Sequence, residues 1–210
     1  MSSNEATVDP ELTALINEAD AGPRLVEFLR DERAIRDGEG ENPLWDFAAG
    51  QLMSHGRLHE ALLVYWEHYL AVLSSQINSN RRLHKGLVLV RLSDCFRTLG
   101  FPVHEKRYLM LTLCEDAITG SGNVAETTGI YPRLVWGGLT ESSLKRYAKE
   151  FFDLSAEHPA EAFFPEALLQ RLDDDWLTEF PSGREVSFFR VNPFYVRHLL
   201  DRLGDGTGTT

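Results

Sequence analysis

Apolar residues recur every three to four positions along this chain, in runs broken by glycine and proline, and that spacing predicts helix almost throughout. Asp9-Pro10-Glu11 reads as a cap, a proline in the first turn and an early acid, with Leu12, Leu15 and Ile16 following on one face. Gly22-Pro23 ends that helix, and Leu25, Val26, Phe28 and Leu29 line a second, short one. After an expected loop over Asp37–Asn42, Asn42-Pro43 restarts helix with Trp45, Phe47, Ala48, Leu52 and Met53 as its apolar face. Gly56 is placed to end it. A long helix is expected from Leu58 to about Gln76, a turn over Ile77–Asn80, and two further helices at about 82–99 and 103–118 around Gly100-Phe101-Pro102.

Beyond a connection at 120–128, expected to be flexible, Tyr131–Trp136 is short and apolar. Thr140 then reads as the cap of a helix from Glu141 to about Ala156. Shorter helices are expected at about 165–172 and 193–203. Glu185–Val191 is the one stretch that alternates like a strand, and a lone strand makes no sheet, so it is read as extended packing. The chain divides into acidic N-terminal helices and loop (1–41), a helical-repeat domain (42–203) and a disordered tail (204–210).

One repeat unit stands out. Trp45-x2-Ala48-Ala49-x2-Leu52, then Gly56-Arg57-Leu58, then Ala61-x3-Tyr65 places large and small residues around a glycine turn. Ala49 and Ala61 let two helices approach closely, and Trp45, Leu52 and Tyr65 fill the space beside the crossing. This resembles the tetratricopeptide repeat, with Ala48 where a larger residue is usual and Leu73 where proline usually ends the unit. Looser units surround Gly100 and Gly138. The glycines Gly56 and Gly100 are 44 residues apart, against a repeat period of about 34. The resemblance implies an all-α fold of antiparallel helix pairs in a short right-handed array, with N- and C-terminal capping helices and a concave peptide-binding groove. The C-terminal phenylalanines, Phe163 to Phe194, read as a packing cluster at the end of that array. A fainter similarity links Arg107–Leu111 and Pro165–Leu169 to helical segments that precede nuclease domains in some bacterial defence proteins.

Charge modifies this picture locally. The formal net charge of −11 opposes nucleic acid and anionic lipid. Acids concentrate at 1–48 and 153–179, whereas 81–107 carries Arg81, Arg82, Lys85, Arg91, Arg97, Lys106 and Arg107 against Asp94 and Glu105. Two readings stand: a basic patch for an acidic peptide or nucleic acid, or bases neutralised internally by the N-terminal helices or Asp173–Asp175. The expected partner-binding residues are Tyr65, Trp66 and Tyr69 on the long helix, with Arg81, Arg82, Lys85, Arg91 and Arg107 beside them.

Chemical motifs are sparse. Arg97 and His104 have the spacing of an Arg/His ribonuclease pair, interrupted by Gly100-Phe101-Pro102. His55 and His59 have a chelating interval with Gly56 between them, and Glu115-Asp116 and Asp173–Asp175 are acidic without a metal motif. Cys95 and Cys114 read as buried thiols. No catalytic residue, metal or cofactor is assigned.

The reading is a non-catalytic adaptor, cytoplasmic by default, that binds a protein or peptide or forms a subunit of a larger bacterial complex. Homo-oligomerisation is compatible with it and membrane association is not expected. The alternative is a nucleic-acid- or nucleotide-related component acting through 81–107, in antiviral defence or as a ribonuclease.

Overall fold

The computed structural model describes residues 10–33, 43–119, 139–172 and Trp176. Every regular element among them is helical: α1 (Pro10–Asn17), α2 (Gly22–Arg33), α3 (Pro43–Ser54), α4 (Leu58–Ser79), α5 (Gly86–Leu99), α6 (Pro102–Thr119), α7 (Glu141–Glu157), a 3-10 turn (Glu161–Phe163) and α8 (Pro165–Leu169). The expected loop at 37–42, the 120–128 connection, the apolar 131–136 stretch, the 185–191 stretch, the last helix and the tail lie outside the described residues.

Three helix ends share one device. Gly56 after α3 and Gly100 after α5 take φ of +73° and +82°, and Asn80 after α4 takes +48°. The amide that follows each bonds back five residues: Arg57 to Leu52, Phe101 to Phe96, and Arg81 to Gln76. Glycine enters this left-handed conformation without steric cost and asparagine tolerates it, so sequence alone marks these stops. The start of α7 is equally local, since the Thr140 hydroxyl accepts from the Ser143 amide at 3.0 Å.

The tight turns fold α3 against α4 and α5 against α6, and α4 also packs on α5. Trp45, Ala48, Ala49 and Leu52 of α3 meet Ala61, Leu62 and Tyr65 of α4 in a shared core. The same core takes in Phe96, Leu109, Leu113 and Phe151 from later helices. Leu12, Leu15, Leu25 and Leu29 of α1 and α2 join it too, so the N-terminal helices are part of one packed body. Two side chains fasten them. Glu60 accepts from the Gly22 amide at 2.8 Å and from Arg57 at 2.6 Å, while Arg57 also donates to the Ile16 carbonyl.

One boundary moved inward. The helix expected from about Arg82 begins at Gly86, and 81–85 is an irregular segment folded toward the interior. Its pull comes from distant groups that helical periodicity does not encode.

Candidate functional site

The aromatic residues expected to line a groove are covered. Tyr65, Trp66 and Tyr69 are 2%, 8% and 0% exposed, so none offers a free anchor surface in this chain. A helix as long as α4 is flanked by α2, α3 and α5, and its aromatic faces are used up in packing. The Tyr65 hydroxyl lies 3.2 Å from Asp46, and Trp66 packs tilted against Tyr69 with ring centroids 5.7 Å apart.

The basic stretch is largely neutralised within the chain, by Asp46 from the acidic 1–48 stretch and by Asp94 and Glu115. Arg91 sits 3.2 Å from Asp46 and 4.0 Å from Asp94, and Arg97 sits 3.3 Å from Asp94. Arg82 pairs with Glu115 at 2.9 Å. Lys85 is entirely buried, its Nζ 3.3 Å from the same carboxylate. Arg81 is exposed and Arg107 half-buried, and neither makes an ion pair among the described residues. The expected neutralising run at Asp173–Asp175 lies outside them.

Lys85 belongs to a polar seam between α4 and α6, where several buried polar and charged groups gather. On α4, Tyr69 and Gln76 are seven residues apart and so share a face; on α6, Tyr108 and Glu115 repeat that interval. The Gln76 Oε1 accepts from Lys85 Nζ at 2.9 Å and from the Leu83 amide at 3.3 Å. Its Nε2 donates to the Phe163 carbonyl at 2.6 Å. Lys85 Nζ donates also to the Leu83 carbonyl at 2.7 Å, and the Lys85 amide donates to Glu115 at 3.3 Å. From α8, Glu166 accepts a hydrogen bond from Tyr69 at 2.5 Å.

Burial dominates the electrostatics here. It lowers the Lys85 ammonium pKa, against the attraction of Glu115, and raises the Glu166 carboxyl pKa, against the Tyr69 hydrogen bond and the charges of Arg107 and Lys85. Burial likewise raises the phenols of Tyr69 and Tyr108. A lysine, a carboxylate, two phenols and an amide thus meet at one place, with their bonding largely satisfied by each other. The arrangement can hold acceptor groups from an incoming chain segment, and it does so for the carbonyl of Phe163 and the carboxylate of Glu166.

The sequence left Arg82 and Lys85 open between a basic patch and internal neutralisation, marked Glu115 only as part of an acidic pair, and pointed to no role for Gln76 or Glu166. Gln76 lies in Ser74-Ser75-Gln76-Ile77-Asn78 and Lys85 between His84 and Gly86, so the local pattern gives little sign that these polar groups are buried and require partners.

The remaining candidates resolve individually. His104 stacks on Phe96, centroids 5.0 Å apart, and meets Phe101 edge-on, so its ring serves packing beside the α5–α6 turn. His55 and His59 are separated by the left-handed Gly56, and no group of three metal-ligating side chains occurs among the described residues. Cys95 and Cys114 are both buried, which raises their thiol pKa values and disfavours the nucleophilic thiolate. No described helix is long and apolar enough to cross a membrane. Comparisons with protein-family models, with curated proteins and with solved structures found no match to this chain.

Proposed function

We propose that this chain is a tetratricopeptide-like binding scaffold that recognises a protein or peptide. The observation that supports this reading is the succession α3–α4 and α5–α6, two helix pairs closed by the same left-handed turn and packed side by side on one core. Such an array presents a continuous surface whose shape is fixed by packing, which suits recognition of an extended or helical segment. The alternative role in nucleic-acid binding is less well supported, because Arg82, Lys85, Arg91 and Arg97 already face Glu115, Asp46 and Asp94.

Affinity capture with the purified full chain, followed by size-exclusion chromatography with each captured protein, tests the proposal. A stoichiometric protein complex is the expected result. An inert monomer that instead binds RNA at low salt, and loses that binding in an Arg81→Glu/Arg107→Glu variant, would overturn it. Those two positions are the informative ones, since glutamate at Arg82 or Lys85 would disrupt the interior.

A further inference from the structure

We propose that the seam between α4 and α6 is a receptor for a short acidic helical peptide on a partner protein, and that the chain's own 161–169 segment occupies it as a resident competitor. This inference rests on the scaffold reading and adds the chemistry of the ligand.

The wall and its occupant are complementary. The wall offers donors, the Tyr69 hydroxyl and the Gln76 amide nitrogen, and the occupant supplies acceptors, the Glu166 carboxylate and the Phe163 carbonyl. The positive charges of Lys85 and Arg107 act on the same carboxylate. Lys85 is committed to Glu115 and Gln76, whereas Arg107 makes no ion pair among the described residues. A ligand bringing a second acid therefore has a cation to meet. Alongside, Pro165, Leu168 and Leu169 are buried, with α8 lying against α6 and α7. The ligand class that fits is a peptide with a glutamate followed two and three positions later by leucine-sized residues, as in Glu166-Ala167-Leu168-Leu169.

The occupant is also suited to leaving. A three-residue 3-10 turn and a five-residue helix are too short to be helical by themselves, so their order depends on the seam. Burying the Glu166 carboxyl carries a desolvation cost that its hydrogen bonds, from Tyr69 and from its own backbone amide, only partly offset. The resident segment holds its place through high effective concentration, which a partner with a better-matched peptide can overcome.

The probe is a labelled synthetic peptide of residues 158–172, titrated by fluorescence anisotropy into the full chain and into its Glu166→Lys variant. Lysine at this position faces Lys85 and Arg107 and weakens the resident segment. The variant should bind the peptide about tenfold tighter than the wild-type chain does, because a larger fraction of its seam is open. A control peptide carrying lysine in place of its glutamate should bind the variant about tenfold more weakly than the parent peptide.

Equal binding of the two peptides, or no binding to a variant whose circular dichroism is native, would overturn the proposal. Should Glu166→Lys fail to fold, amide exchange on the wild-type chain decides: saturating peptide should accelerate exchange over 161–169, and unchanged exchange overturns the site. A concentration-dependent dimer that trades this segment between copies would replace the partner peptide by self-association. A stoichiometric partner found by affinity capture together with failure of the peptide would leave the scaffold standing and remove the seam as its receptor.

Discussion

His68 lies almost parallel to Trp45, their ring centroids 5.5 Å apart and their planes 10° from each other. It is 3% exposed, and neither ring nitrogen finds a hydrogen-bond partner among the described residues. Burial disfavours the charged imidazolium and lowers the pKa to about 4, with Asp46 opposing the shift. The unfolded chain protonates this ring near pH 6.5 while the folded chain resists until about pH 4. Stability from this group is therefore complete above pH 6.5 and falls as pH drops through that window, by about 3 kcal/mol in all. Urea unfolding of wild type and His68→Leu between pH 7 and 4 checks this: the wild-type curve should be steeper with pH. The neutral state of His68 was not legible from its surroundings in sequence, because Trp45 and Asp46 lie more than twenty residues away. Lys85 shows the same limit, since its carboxylate partner Glu115 lies thirty residues away. A lysine between His84 and Gly86 carries no local mark of burial until Gln76 and Glu115 enclose it.

At the scale of elements, the ends were the most legible features. Gly56, Gly100 and Thr140 act within five residues of themselves, so local chemistry suffices to place them. The start of α5 depends instead on contacts to α4 and α6, which is why it shifts from about Arg82 to Gly86. A Cβ at Gly56 or Gly100 would meet nothing within 4 Å, so substitution there isolates the cost of the left-handed backbone. Gly56→Ala and Gly100→Ala should each destabilise the protein by about 1–2 kcal/mol, measured by denaturant titration. A larger loss would mean that the turns carry packing as well as conformation.

Across the whole molecule, the helical class was readable from periodicity, and the N-terminal helices share the core of the later ones. Arg57 and Glu60 tie the end of α1 and the start of α2 to the first turn of α4. Glu60→Ala leaves the Gly22 amide unsatisfied and frees the Arg57 guanidinium. It should cost about 1–3 kcal/mol, and the loss should be uneven. Amide exchange in α1 and α2 is expected to rise while α5 and α6 keep their protection. Uniform acceleration across all helices would show instead that the N-terminal helices melt only with the whole.

The Gln76 side chain bonds Leu83 and Lys85 on one side and Phe163 on the other. Two segments some eighty residues apart in sequence thus lean on the same amide, and neither can open without disturbing the group that holds the other. Segments 81–85 and 161–169 should therefore behave as one kinetic unit. Relaxation dispersion at the amides of Leu83 and Phe164 would then fit a single exchange rate, and Gln76→Ala should split it in two. Anything that lifts the short α8 away from the seam would, by the same linkage, loosen the irregular segment leading into α5. Through that one glutamine, an event at the C-terminal side of the fold would reach its middle.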